Sequence, residues 1–267
     1  MYMQMTKKYW VGIGVGAAIL VLAGLAYYLK PTVTLTPGNA PIVATSTGST
    51  STSTQPVATS SVQAFIPFPI NKADTITSWN FKGAYAGNAL LTTQAQADIT
   101  NLTNLLAAGK FDAYNVYNAI ANDYSSLGKG ALAYQYYNRS IRLYPNIGLA
   151  YANLGHFMDS MGAYYTAADA YAKATTVEPG MLEYHLERLT YLTRQFPKDN
   201  ARIVAAITDA SKQFGDNASI LSIEAQWLAG QGRYADAIKA WQTVKTLSPG
   251  KDTTAIDAEI ARLQAKQ

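Results

Sequence analysis

The chain has 267 residues, 49% of them apolar, which is enough for one sizeable folded domain with accessory segments. It contains no cysteine, which excludes disulfide bridges, thiolate zinc sites, a cysteine nucleophile and a lipidated N-terminal cysteine. The net charge is +4, but the basic residues are scattered, and the part after position 70 is nearly neutral. Since a phosphate-binding surface needs clustered lysines and arginines, we expect no nucleic-acid partner.

Residues 10–29 form an apolar run without a charged side chain. As a helix this run would be about 30 Å long, which matches the hydrocarbon core of a bilayer. Lys7 and Lys8 precede it and Lys30 follows it, so the positive charge favours a cytoplasmic N-terminus. The run predicts a single-pass transmembrane anchor in contact with the lipid bilayer. Residues 1–9 would then be cytoplasmic and the rest of the chain extracytoplasmic.

A cleaved signal peptide is the alternative for the same run. Gly24-Leu25-Ala26 offers a small-x-small cleavage site, and cleavage near Ala26 would secrete the rest. The run is longer than the usual apolar region of about 7–15 residues, which favours the retained anchor. Gly12 and Gly16 form a GxxxG pair, which is a weak signal for helix pairing in lipid.

Residues 30–63 predict a disordered linker. No side chain from Pro31 to Ile70 is charged, and twelve of the seventeen residues from Thr45 to Ser61 are Ser or Thr. Such a stretch has too little apolar surface to offset its chain entropy. As a flexible coil, the forty charge-free residues from Pro31 to Ile70 would span roughly 35 Å.

Residues 64–92 differ from the linker because they contain several aromatic side chains amid Gly and Asn. Pro67 and Pro69 are incompatible with a helix and favour extended backbone. Aromatic side chains in an extended segment need a surface to cover. We therefore expect this segment to pack along the first helices of the domain that follows.

The strongest pattern is self-similarity with a period of 34 residues, which separates Pro145 from Pro179. Each unit has a large residue, a small one, a large apolar one, a glycine, an alanine, an aromatic and a proline at constant spacings. The three regular units contain Tyr117, Ala121, Tyr124, Gly128, Ala133, Tyr137 and Pro145; Tyr151, Gly155, Met158, Gly162, Ala167, Tyr171 and Pro179; and Leu221, Ala225, Leu228, Gly232, Ala237, Trp241 and Pro249.

The spacings have a direct structural meaning. Small residues let two antiparallel helices approach closely, and the aromatic residues fill the space beside them. Each glycine lies where a helix must end and turn, and each proline stops the second helix. The YANLG and AADAYAKATTVEP stretches resemble the tetratricopeptide repeat family, of the membrane-anchored bacterial type. The fold class is therefore predicted to be an all-α solenoid with about four helix pairs plus flanking helices.

The predicted repeat domain covers residues 93–267, with ten helices in all. Regular units occupy residues 114–147, 148–181 and 218–251. The unit between them, 182–217, is two residues longer, has Pro197 at its turn and lacks the aromatic position. It predicts a degenerate repeat, with a short insertion as the alternative. Gly109 would close a helix before the first unit, and residues 252–266, starting near Asp252, predict a capping helix.

The sequence offers no catalytic chemistry. It has no HExxH, P-loop, GxSxG or GxGxxG motif, and only two histidines, His156 and His185. His185 occupies a core position of the repeat, which predicts a buried side chain with a hydrogen-bond partner. On a helix it points away from Glu183 and Glu187, so these three do not form a metal site. We expect no enzyme, no cofactor, no metal and no small-molecule substrate.

The resemblance to the tetratricopeptide family implies that the first helix of each unit lines a concave groove. The candidate partner-binding residues are Asn115, Asn118, Asn122 and Ser125 in the first unit, Asn153, His156 and Asp159 in the second, and Arg194 in the third. Asparagine both donates and accepts hydrogen bonds, which suits the backbone of an extended peptide. The family's carboxylate clamp needs more basic residues than Arg194 alone. A merely solvated helix face is the alternative.

These features together predict a membrane-tethered scaffold that binds a protein or peptide partner in the groove. Resemblance to anchored bacterial repeat proteins implies a role in envelope assembly, secretion or pilus biogenesis. The alternative is a structural surface protein that self-associates, through Gly12 and Gly16 or through the ends of the solenoid.

Overall fold

The computed structural model describes residues 67–109 and 112–267. The predicted anchor, residues 10–29, and the linker, residues 30–63, lie outside the described residues. Within the described part of the chain, no helix is both long enough and apolar enough to span a membrane.

The described residues form ten α-helices and, apart from one isolated bridge between Asn80 and Lys129, contain no strand pairing. The all-α prediction is therefore confirmed for this part of the chain. The helices are α1 (Ala89–Ala108), α2 (Ala113–Ser126), α3 (Gly130–Leu143), α4 (Gly148–Ser160), α5 (Tyr164–Val177), α6 (Leu182–Gln195), α7 (Asn200–Phe214), α8 (Ala218–Gly230), α9 (Tyr234–Thr246) and α10 (Thr254–Gln264).

The helices pack in series, as in a tetratricopeptide solenoid. Four pairs, α2–α3, α4–α5, α6–α7 and α8–α9, each consist of a first helix and a second helix in close contact, and each second helix also packs on the first helix of the next pair. α1 precedes the first pair and packs on α2, while α10 follows the last pair and packs on α9. The short turns inside each pair make its two helices antiparallel.

Glycines make the tight turns inside three of the pairs. Gly128, Gly162 and Gly232 have φ values of 72°, 75° and 76°, in the left-handed region where a side chain is strained. These are the positions at which the 34-residue period predicted a turn, and the prediction is confirmed.

Small residues decide how closely the helices of a pair approach. A Cβ atom added to Gly155 in α4 would lie 2.9 Å from the nearest ring atom of Tyr171 in α5, so glycine is what lets the ring pack there. Ala121 lies one period before Gly155, and Ala133 lies one period before Ala167; both alanines are 0% exposed. The core thus runs along the solenoid as alternating small and bulky side chains.

The irregular unit is also a helix pair. Its first helix starts 18 residues before its second, from Leu182 to Asn200, whereas the corresponding distance from Gly148 to Tyr164 is 16. Its turn, 196–199, has no glycine. Instead, the carbonyl of Pro197 accepts hydrogen bonds from the side chains of Trp227 in α8 and of Gln231, directly after α8, each at 2.9 Å.

Residues 67–88 contain no helix and lie against the second helices of the first two pairs. Phe68 is held by its backbone on both sides: its N–H donates to Asn138 Oδ1 at 2.6 Å, and its carbonyl accepts from the Tyr134 hydroxyl. The backbone N–H of Asn71 donates to Thr166 Oγ1 in α5 at 2.9 Å. This segment therefore bridges α3 and α5.

The same segment caps both helices that it bridges. Ala163, the residue before α5, provides no side-chain cap, but the Asp74 carboxylate accepts from the N–H groups of Tyr165 and Thr166 at 3.1 and 2.6 Å. At α3, the carbonyl of Trp79 accepts from the N–H of Gly130 at 2.8 Å. Residues distant in sequence thus satisfy helix ends that lack local side-chain caps.

Candidate functional site

The candidate site is the exposed side of α2, α4 and α6, called here the first-helix face. Asn122, His156 and Arg194 are exposed on it, and Asn153 and Asp159 are half-buried. These predicted residues therefore lie on consecutive first helices.

A buried tyrosine in each of the first two pairs reaches this face. The Tyr137 hydroxyl donates to Asn122 Oδ1 at 2.5 Å, and the Tyr171 hydroxyl lies 2.8 Å from His156 Nδ1. Tyr137 and Tyr171 are one period apart, as are Asn122 and His156. The repeat thus fixes the orientation of a polar side chain at the same place in two successive units.

Tyr171 and Glu187 each contact one ring nitrogen of His156. Burial, helped by the nearby carboxylates of Glu187 and Asp159, raises the pKa of Tyr171 far above its ordinary value. The hydroxyl therefore keeps its proton, and it is hydrogen-bonded to Nδ1 of His156. The other ring nitrogen, Nε2, lies 3.7 Å from Glu187 Oε2 in α6.

An ion pair beside His156 joins α4 and α6, the first helices of two successive pairs. Arg194 Nη2 in α6 lies 2.6 Å from Asp159 Oδ2 in α4, and the guanidinium sits 5.6 Å from the centre of the Tyr191 ring. The Arg194 side chain is 61% exposed, so the pair contributes about 1 kcal/mol or less to stability. Its main consequence is to hold a guanidinium and a carboxylate side by side at the surface.

Asn118 is not available to a partner, which corrects the sequence-based prediction. It is only 5% exposed, its Nδ2 donates to the Tyr114 carbonyl at 3.0 Å, and its Oδ1 accepts from Ser140 Oγ at 3.3 Å. Asn118 lies one residue before the position that is one period ahead of Asn153, and its side chain therefore points toward α3. Asn115 is exposed and donates to Asp112 Oδ2 at 3.2 Å, at the start of α2.

His185 is a core residue, as its place in the repeat predicted. It is 3% exposed, and its Nε2 lies 3.0 Å from the carbonyl of Pro179. One period earlier, the Tyr151 hydroxyl donates to the carbonyl of Pro145 at 3.1 Å, so both units use the same contact. Burial lowers the pKa of His185 below its ordinary value, which keeps the ring neutral.

Glu187 and Tyr191 also contribute to this face, in addition to the residues predicted from the sequence. Glu187 lies one period after Asn153, so the 34-residue spacing already contained that signal. Tyr191 is 3% exposed and donates to the Tyr164 carbonyl at 2.9 Å, while its ring lies beneath Arg194. Its role depends on the packing of α5 on α6, which no spacing within one helix reveals.

The first-helix face offers hydrogen bonds, the ion pair of Arg194 with Asp159 and the contact of His156 with Glu187. Within residues 67–109 and 112–267, no three His, Asp or Glu side chains come together as metal ligands would. The Asn122 amide retains its N–H groups for a ligand because its oxygen is occupied by Tyr137. Such a face is suited to holding a polypeptide.

Comparisons with known proteins found similar solved structures only. No protein-family profile and no curated protein matches the sequence. Among solved structures, MamA is 14% identical with a TM-score of 0.45, over 55% of this chain and 85% of MamA. A chain of the APC/C hetero-tetramer Cut9–Hcn1 is 15% identical with a TM-score of 0.44, over 66% of this chain and 34% of that one.

The TPR2AB domain of yeast Sti1, in a complex with pHSP90, is 15% identical with a TM-score of 0.37, over 66% of this chain and 83% of that domain. At these identities and TM-scores, the similarities assign neither a ligand nor an activity to this chain.

Proposed function

We propose that this chain is a scaffold that binds a protein or peptide partner on its first-helix face, at the surface of a membrane to which residues 10–29 anchor it. The observation that carries the proposal is the repeated bond from a buried tyrosine to an exposed polar side chain, Tyr137 to Asn122 and Tyr171 to His156. No catalytic step is part of this function.

Preorganisation is the physical argument for binding. Side chains that are already fixed lose little rotamer entropy when a partner arrives, so more of each new hydrogen bond appears as affinity. The hydroxyl of Tyr137 holds Asn122, and Asp159 holds Arg194. A helix face that only contacts solvent does not need hydrogen bonds from buried side chains to hold its polar side chains in place.

The predicted anchor and linker would hold the scaffold at the membrane surface. A flexible linker over residues 30–63 would let the domain search a region of roughly 30 Å from the bilayer. Confinement to the membrane surface raises the effective concentration of the domain for other proteins there. Envelope assembly, secretion and pilus biogenesis are the roles that we propose for such a tethered scaffold, on its extracytoplasmic side.

A photo-crosslinking experiment in intact cells tests the binding face. The full chain carries a photoreactive amino acid in place of Asn122, and a control carries it in place of Lys173, an exposed residue of the second helix α5. We expect one dominant crosslinked partner at position 122 and only weak, diffuse products at position 173. Equal labelling at the two positions would rule out the first-helix face as the binding site.

A second variant distinguishes specific binding from general exposure. In the chain with the probe at position 122, Arg194→Ala should reduce the dominant crosslink about tenfold, as expected for an arginine at the centre of an interface. Lys173→Ala is the matched control, since it also removes one exposed positive charge and should leave the crosslink unchanged. If both substitutions have the same effect, Arg194 is not part of the site.

A further inference from the structure

Residues 67–71 fill a groove between the second helices α3 and α5, above the first helix α4. Tyr151 of α4 lies at the floor of this groove, and the Phe68 ring meets it edge-on with ring centres 5.9 Å apart. Thr166 and Ala170 of α5 lie along one wall, and Tyr151 and both of these residues are buried. In the second pair, a segment with a phenylalanine between two prolines therefore covers the groove.

The third pair covers the same position with a phenylalanine of its own. His185 lies one period after Tyr151, and the Phe214 ring, at the end of α7, meets it edge-on with ring centres 5.3 Å apart. His185 is buried as a result. Two different segments of the chain thus place a phenylalanine ring at equivalent positions of successive pairs.

The first pair has the equivalent groove, but its residues remain accessible. Tyr117, Leu132 and Tyr136 lie one period before the floor and wall residues of the second pair. Tyr117 and Tyr136 are half-buried and Leu132 is 39% exposed, whereas their three counterparts are buried. Four positions separate α1 from α2, as they separate α3 from α4, so α1 takes the place of the second helix on the other side of this groove.

This surface, called here the tyrosine groove, consists of Tyr117, Tyr124, Leu132 and Tyr136. The centre of the Tyr136 ring lies 5.9 Å from that of Tyr117 and 5.6 Å from that of Tyr124. The Arg139 guanidinium lies 4.5 Å from the centre of the Tyr136 ring, a cation–π contact that holds this ring in place. Clustered tyrosines offer apolar ring faces and hydroxyl groups together, which suits proline-containing segments.

We propose that the tyrosine groove binds an extended segment of a partner protein in which a phenylalanine lies between two prolines. The filled groove of the second pair shows how such a segment is recognised. Its phenylalanine ring packs on the floor tyrosine, and the Tyr134 hydroxyl donates to the carbonyl of Phe68. Prolines restrict the backbone of the segment before it binds, so less conformational entropy is lost in the complex.

The occupant is a separate protein because the chain's own segment is already bound elsewhere. Pro-Phe-Pro occurs once in the sequence, at residues 67–69. The N–H of Phe68 donates to Asn138 in α3, and the N–H of Asn71 donates to Thr166 in α5. This binding goes beyond the proposed function, since the tyrosine groove contains none of the side chains assigned to the first-helix face.

A synthetic peptide tests the groove. The probe has the sequence of residues 64–71, with a photoreactive benzoylphenylalanine in place of Phe68 and fluorescein at its N-terminus. It is titrated into the full chain, whose predicted anchor is held in lipid nanodiscs, and binding is followed by fluorescence anisotropy with empty nanodiscs as the blank. We expect saturable binding. After irradiation and digestion with trypsin, the crosslink should lie in fragment 111–129, which contains Tyr117 and Tyr124.

Substitutions in α3 show whether the groove is responsible for the binding. Leu132→Asp should weaken peptide binding about tenfold, because it places a carboxylate against an apolar ligand. Leu143→Asp is the matched control, since Leu143 lies in the same helix and is 41% exposed, and it should change the affinity by less than about twofold. Tyr136→Ala should also weaken binding about tenfold, whereas Tyr136→Phe keeps the ring and should bind nearly as well as the natural chain. Circular dichroism checks that the helices of each variant are intact.

Four outcomes would overturn the proposal. The first is an absence of saturable binding. The second is an equal loss of affinity in Leu132→Asp and Leu143→Asp, which would place the peptide elsewhere. The third is a crosslink in fragment 143–173, which contains Tyr151 and Thr166, since the peptide would then only displace the chain's own segment. The fourth is a gain of about tenfold in affinity for Phe65→Ser, because residues of the same chain would then be competing for the groove.

Discussion

The contact between Asp74 and α5 allows a quantitative test of how the N-terminal segment stabilises the domain. The carboxylate accepts three hydrogen bonds, from Tyr165 N at 3.1 Å and from Thr166 N and Oγ1 at 2.6 Å each. Thr166 is 0% exposed, so water does not replace the lost partner in Asp74→Ala. An N-cap is worth about 1 kcal/mol, and a buried unpaired N–H costs about 1–3 kcal/mol more.

We therefore expect Asp74→Ala to lower the free energy of unfolding by about 3 kcal/mol. Asp74→Asn keeps one acceptor oxygen and should lose about 1 kcal/mol. Lys72→Ala, in the same segment but exposed, is the control and should change stability by less than about 0.5 kcal/mol. Urea unfolding of the full chain, followed by circular dichroism at about 222 nm, measures all three.

A double-mutant cycle separates the cap from other effects of the substitution. Thr166→Val removes only the hydroxyl, and its coupling to Asp74→Ala should be about 1 kcal/mol. If Asp74→Ala costs no more than Lys72→Ala, or if the coupling is zero, the segment is not held by this carboxylate. The account of α5 as a helix capped by a distant residue would then be wrong.

Two further substitutions test the packing and the pH dependence. Gly128→Ala should lower the free energy of unfolding by about 3 kcal/mol, because the added Cβ would lie 2.1 Å from the Phe81 carbonyl oxygen. Gly162 has a similar φ but open space around it, so Gly162→Ala should lower the free energy of unfolding by only about 1 kcal/mol. Equal losses for the two variants in urea unfolding would exclude the steric clash as the cause. Burial, and secondly the Asp98 carboxylate, raises the pKa of Asp123 to about 6. Between pH 3.8 and about 6 the folded state therefore holds a proton on Asp123 that the unfolded state releases, so the contribution of this carboxyl group to stability is largest below pH 3.8 and is lost as the pH rises through about 6. Asp123→Asn should stabilise the folded chain by about 1 kcal/mol at pH 8, after discounting for the partial exposure of the side chain, and by almost nothing at pH 4. If the substitution changes the free energy of unfolding equally at pH 8 and pH 4, the raised pKa of Asp123 is not the cause.

Periodicity made the paired helices predictable from the sequence. Gly128, Gly162 and Gly232 recur in register because each must adopt a left-handed backbone at a helix end. The same period placed Asn122 and His156 on one face and His185 in the core. All of these depend on contacts within a unit or between adjacent units, which repeat with the sequence.

Asn118 shows where the local pattern fails. Its residue type suited the groove, but a shift of one position turns an α-helical side chain by about 100°, and here toward the interior. Only the packing of α3 on α2 decides that Ser140 binds it. Glu187 shows the converse, since it was in register with Asn153 but became part of the face only once α6 was placed beside α4.

The sequence by itself determined the helix pairs, their turns and the small-and-bulky alternation of the core, because short-range steric rules repeat every 34 residues. The tertiary structure decided where the non-repeating residues 67–88 bind, which side chains are tied to buried tyrosines, and that Arg194 meets Asp159. Those contacts join residues far apart in the chain, and no local spacing encodes the distance between them.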